Sequence, residues 1–101
     1  MNKAEEKNHS QPKSGFVSVT VMFITLMQRY SGRREIRIDL PFNPSHAIDT
    51  IIKQFHIPWK DNLEKSTRIF INKRFSESYI RKKEKLKTDD VIAFIPISGG
   101  G

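Results

Sequence analysis

The sequence predicts an α+β fold: a mixed sheet with one main helix packed on one face. Three observations carry this prediction. Val17, Val19, Val21 and Phe23 alternate with Ser18, Thr20, Met22 and Ile24, the period of a strand with one buried face. Ile48, Ile51, Ile52 and Phe55 fall at i, i+3, i+4 and i+7, one apolar stripe of a helix. Residues 91–97 read VIAFIPI, the near-continuous apolar run of an interior strand.

Residues 1–15 are almost all polar and include Pro12 and Gly15. Such a segment buries too little apolar area to offset its ordering entropy, so it is expected to be a disordered tail. The first strand spans residues 16–26. Ser31-Gly32 signals a turn, and Ile36, Ile38 and Leu40 share one face of a second strand over residues 34–40, the return arm of a hairpin.

Pro41 ends that strand. Asn43-Pro44-Ser45 starts the helix, with a capping side chain and a proline tolerated in the first turn. Lys53 and His56 suit its C-terminal end, and Pro58 stops it. Residues 59–67 read as a polar loop or irregular turn. Residues 68–71 (RIFI) form a short strand, and Asn72-Lys73-Arg74 turns into another short run at Phe75. Residues 76–86 have no clear pattern. Lys87-Thr88-Asp89-Asp90 is a tight turn before the final strand, residues 91–97.

The first and last strands are the most apolar and are expected to lie side by side, running parallel, at the centre of the sheet. The order strand, strand, helix, then further strands describes a β-grasp domain, the ubiquitin-like fold class. The expected organisation is a tail over residues 1–15, a domain over 16–98 and a glycine tail over 99–101.

The chain has 101 residues, 18 Lys+Arg against 11 Asp+Glu, a net charge of +7 and no cysteine. A single core is feasible at this length, where roughly 60–70% of the unfolded surface can be buried. The missing cysteine excludes a disulfide scaffold, a cysteine-ligated metal site and a cysteine nucleophile. No apolar run approaches the ~20 residues of a membrane span, and the N-terminus has no signal-peptide pattern. A soluble, cytoplasmic protein is the expectation. His9, His46 and His56 are isolated, so no metal site is expected. No Ser-His-Asp pattern or phosphate loop is present.

Three glycines close the sequence. They pack nothing and form no element, but a thin tail without side chains can thread a narrow channel and present a free carboxylate at Gly101. The residues before them sharpen this reading. Asp89-Asp90-Val91-Ile92-Ala93-Phe94-Ile95-Pro96-Ile97-Ser98-Gly99-Gly100-Gly101 resembles the closing motif of the MoaD/ThiS sulfur-carrier family. That motif is an acidic turn, a strand of the type V-A-F-F-P-P, two residues and a terminal diglycine. Pro96 matches the first proline, Ile97 replaces the second, and Gly100-Gly101 match the diglycine. Gly99 is an extra glycine at a spacer position. Val19-Thr20-Val21-Met22-Phe23 is similar to the opening strand, Tyr30 to Ile36 to the hairpin region, and Ile71-Asn72-Lys73-Arg74 to a V-N-G-R turn with lysine for glycine.

The resemblance implies a carrier, most like the small subunit of molybdopterin synthase. An E1-like adenylyltransferase would activate the Gly101 carboxylate, and the acyl-adenylate would become a thiocarboxylate. The carrier itself would bind no cofactor; its partner would use ATP and a sulfur donor. Phe94, Ile95, Pro96 and Ile97 would dock on the E1-like enzyme and on a sulfur-acceptor enzyme like the molybdopterin synthase large subunit, with Gly99 and Gly100 entering their active sites. Thiamine, cysteine and tRNA thiolation pathways share the motif, and a ubiquitin-like protein modifier would use the same terminus.

Arg81, Lys82, Lys83, Lys85 and Lys87 make residues 81–87 the densest basic run. It reads as a solvated face or as a docking patch for an acidic partner, with Phe75 a further candidate for a partner surface. Nucleic acid is the reading of a different class. The lack of interleaved aromatic residues and of an RNA-binding strand motif argues against it.

Overall fold

The computed structural model describes residues 13–97. Five strands form one mixed sheet in the order β2-β1-β5-β3-β4. They are β1 (Phe16–Phe23), β2 (Glu35–Pro41), β3 (Thr67–Ile71), β4 (Arg74–Phe75) and β5 (Val91–Pro96). β1 pairs with β5 in parallel, Val21 opposite Ile92 and Phe23 opposite Phe94. It pairs with β2 antiparallel, and β5 pairs with β3 antiparallel. The expected parallel pair of first and last strands is thus the centre of the sheet.

Helix α1 (Met27–Ser31) lies between β1 and β2, and α2 (Pro44–Gln54) follows β2. Between α2 and β3 the chain makes a π-helical turn, Trp59–Leu63, continued by α3 (Glu64–Ser66). Helix α4 (Ser76–Arg81) follows β4.

Period two in β1 and β5 decides which side chains enter the core. Val19, Val21 and Phe23 of β1 and Ile92 and Phe94 of β5 are fully buried on the face covered by α2. Ile51 and Ala47 of α2 meet them there, with Ile69, Ile71 and Leu40. Three rings knit this layer: Phe23 stacks on Phe94 at 5.7 Å, and Phe55 meets Phe23 edge-on at 5.3 Å. Trp59 meets Phe94 edge-on at 6.0 Å, so it covers the helix–sheet core as its position after Pro58 suggests. Each such pair adds roughly 0.5–1.5 kcal/mol beyond its buried area.

The helix starts as its sequence dictates. Asn43 Oδ1 accepts from the His46 backbone N–H at 2.9 Å, and Pro44 occupies the first turn.

Three readings are corrected. The first strand ends at Phe23, not Leu26. Ile24 N still donates to Phe94 O, but Thr25 takes φ 44° and the chain turns into α1, sending Met27 into the core. The β1–β2 connection is therefore helical rather than a tight hairpin, and Gly32, at φ 79°, closes it by donating to Gln28 O. Residues 59–66 are helical rather than a loop. Residues 13–15 precede β1 in a turn, with Phe16 N bonded to Lys13 O and Phe42 N to Gly15 O.

Candidate functional site

The sheet has one covered face and one open face. Ser18, Thr20 and Met22 of β1 alternate with its buried valines, and the register sets them beside Glu35, Arg37 and Asp39 of β2. On the other side of β1, Met22 lies opposite Ala93 of β5, and Ala93 lies opposite Phe70 of β3. Phe70 stacks on Phe75 at 4.9 Å. Met22, Phe70, Val91, Ala93 and Ile95, with Asn72 and Lys73 at the rim, line one shallow concavity. β5 is thus apolar on both faces because one enters the core and the other forms this patch.

This geometry divides the docking residues inferred from the C-terminal motif. Phe94 is completely buried beneath α2 and is a core residue, which corrects its placement on a docking surface. Ile95 is half-buried on the open face, and Pro96 is half-buried at the end of β5. Ile97 is 38% exposed, with its N–H bonded to Ser66 O at 2.8 Å. Gly99, Gly100 and Gly101 lie outside the described residues. They follow β5, the central strand of the sheet, in sequence.

Phe75, at 50% exposure, belongs to the same open face through Phe70. Sequence reading named Phe75 but missed Met22, Phe70, Val91 and Ala93. The alternation of β1 would have assigned Met22 to this face, because its neighbours are the core valines.

The basic run sits elsewhere, beside the start of β5. Arg81, Lys82 and Lys83 are exposed at the end of α4, as are Lys85 and Lys87 beyond it. Arg74 reaches over from β4 to hold Glu84 at 2.9 Å and lies over the Tyr79 ring at 4.3 Å. The hydrogen bond from Arg74 holds the Glu84 carboxyl below the usual carboxylate range, and the same bond raises Arg74.

Among the described residues no group of three His, Asp or Glu could hold a metal ion. No helix there is long and apolar enough to cross a membrane.

No protein-family model and no curated protein matches the sequence. Solved structures do match the fold. Small archaeal modifier protein 1 from Methanosarcina acetivorans superposes with a TM-score of 0.67 at 16% identity, covering 85% of this chain and 98% of that one. A protein assigned as molybdopterin converting factor subunit 1 from Pyrococcus furiosus superposes at 0.60 with 23% identity, covering 81% and 99%. Small archaeal modifier protein 1 from Haloferax volcanii gives 0.60 at 16%, covering 83% and 99%. The chain has the β-grasp, ubiquitin-like fold.

Proposed function

We propose that this protein is a sulfur carrier acting through a thiocarboxylate at Gly101, as a sulfur donor to molybdopterin synthesis. The observation that supports this reading is the course of β5. A strand locked into the core by Ile92 and Phe94 emerges at Pro96 and Ile97, and the sequence then reads Ser-Gly-Gly-Gly. In sequence, only Ile97 and Ser98 separate the last strand residue, Pro96, from the three glycines.

The chemistry asks little of the carrier. A carboxylate oxygen of Gly101 attacks the α-phosphorus of ATP held by an E1-like adenylyltransferase, and pyrophosphate leaves. Sulfide, or a persulfide with a reducing thiol, then delivers sulfur to the acyl carbon, and AMP leaves. The thiocarboxylate sulfur bonds to a carbon of an acceptor held by a second enzyme, displacing a group from that carbon, and water then cleaves the acyl–sulfur bond, leaving the sulfur on the acceptor and Gly101 as a carboxylate. The carrier supplies recognition, with Ile95, Pro96, Ile97 and the open face around Met22, Phe70 and Phe75 as the docking surface for both enzymes. Burying such a patch contributes about 25 cal/mol per Å² of apolar area.

Intact-mass measurement after incubation with an E1-like adenylyltransferase, ATP and sulfide tests this. The expected gain is one sulfur in place of one oxygen, lost when Gly101 is deleted. An unchanged mass with an adenylyltransferase that loads its own carrier overturns it. The likeness to small archaeal modifier proteins favours a second reading, in which a lysine amine attacks the activated Gly101 carbon to form an isopeptide bond. High-molecular-weight conjugates in cells that vanish on deleting Gly101 would identify that use.

A further inference from the structure

The segment from Ile80 to Lys87 is held as a fixed ledge. Lys82 N donates to Ser78 O, Lys83 N to Ile80 O, and Glu84 N to Tyr79 O. Leu86 N donates to Phe42 O at 2.8 Å, and the Leu86 side chain is 2% exposed. Backbone order therefore presents the lysines from a rigid base, which lowers the entropy lost when a partner binds.

The acids beside these lysines are already engaged. Glu84 is held by Arg74, and the two Asp90 oxygens accept from Asn72 Nδ2 and the Lys87 N–H, each at 2.8 Å. Among the described residues, Lys82, Lys83 and Lys87 form no salt bridge. Two concavities meet at Lys83, Glu84 and Lys85. One is floored by Phe42, Pro44 and Ile80, and the other opens toward Arg74 and Lys87. Ile80 is 41% exposed. The result is one groove, apolar at one end and cationic along the other.

We propose that this groove docks an acidic, apolar protein segment, with an apolar side chain over Ile80 and carboxylates on Lys83, Lys85 and Lys87. Charge complementarity fixes the sign of the partner. The rings decide between protein and nucleic acid. Tyr79 is 6% exposed under Arg74, and Lys85 lies over Phe42 at 4.8 Å, so neither ring offers a free face for stacking a base. A phosphodiester backbone would also leave the Ile80 floor unused.

The groove lies beside the first residue of β5, and the glycine end follows the last. Six residues of strand separate the two, about 20 Å at a strand rise of roughly 3.3 Å per residue. A partner can therefore hold the ledge while the C-terminal end stays free for an active site.

The test is fluorescence anisotropy of the whole chain against three labelled probes: a synthetic peptide alternating Glu with Leu, a polyglutamate peptide of equal length, and oligouridylate. The Glu–Leu peptide is expected to bind tightest. The triple variant Lys83→Glu, Lys85→Glu, Lys87→Glu should weaken it about tenfold, as the loss and reversal of three exposed charge contacts predicts. Ile80→Ser should weaken it several-fold. Deleting residues 99–101, which abolishes sulfur loading under the function proposed above, should leave peptide binding unchanged. Amide shifts of the wild-type protein should move at residues 80–87, a readout that needs no variant to fold. Equal or tighter binding of oligouridylate, equal binding of polyglutamate, or peptide-induced shifts confined to the open sheet face would each overturn the proposal.

Discussion

Asn72 and Asp90 are joined side chain to side chain, Asn72 Nδ2 donating to Asp90 Oδ1 at 2.8 Å. The same asparagine accepts from the Val91 N–H through Oδ1 at 2.9 Å. One side chain thus ties the β3–β4 turn to the first residue of β5. Asn72→Ala is expected to leave both groups without these bonds and to destabilise the fold by about 1–3 kcal/mol. Urea unfolding measures this. An unchanged midpoint would show that water replaces the bridge at no cost.

Lys73 follows in the same turn with φ 72°, a left-handed backbone that disfavours a side chain. Non-glycine residues lose roughly 1–2 kcal/mol in this region, and glycine returns part of that through a freer unfolded chain. Lys73→Gly should therefore stabilise by about 0.5–1 kcal/mol, visible as a higher melting temperature. Lys73→Ala, which keeps the Cβ, should not.

Two residues three apart at the end of the chain are expected to fail differently. Phe94→Ala removes a fully buried ring and should cost about 3–5 kcal/mol, read by thermal unfolding. Ile97→Ser alters an exposed side chain and should stay within about 0.5 kcal/mol. Under the proposed function, Ile97→Ser should still slow adenylation, measured as pyrophosphate release with the E1-like enzyme. Wild-type kinetics in that variant would remove Ile97 from the docking surface.

Glu84 titrates below its ordinary value because Arg74 donates to it. The native carboxyl binds a proton more weakly than the unfolded one. Its contribution to stability is present above the ordinary value of 4.5 and is lost as pH falls through the lowered native value. The stability difference between wild type and Glu84→Gln should be largest near neutral pH and shrink in acid. A difference constant from about pH 7 to pH 3 would show that the ion pair contributes nothing to it.

Much of this architecture is legible in the residues. The alternation of β1, the stripe of α2 and the apolar run of β5 each correspond to an element at nearly the expected bounds, because each has a period set by its own geometry. Residues 24–31 were harder. Ile24 and Leu26 continue the strand's apolar character, and only the left-handed backbone at Thr25 ends it. Residues 59–66 are too short a helical stretch to establish a period. At the candidate site, a linear motif groups Phe94 with Ile95, whereas the pleat sends them to opposite faces. The open apolar face was hidden because an interior strand and a strand with one uncovered apolar face have the same composition. The contrast between the basic ledge and the β5 exit depends on which end of a strand each residue meets, which only the sheet register supplies.

The position of β5 also has a mechanical meaning. It lies between β1, which runs parallel to it, and β3, which runs antiparallel, and both ladders follow its axis. A pull on the residues after Ile97 would load these hydrogen bonds in shear, many at once, rather than peel them open one by one. Force applied there by an enzyme drawing in the terminus would meet the strongest direction of the sheet, and the body would move as a unit before the strand gave way.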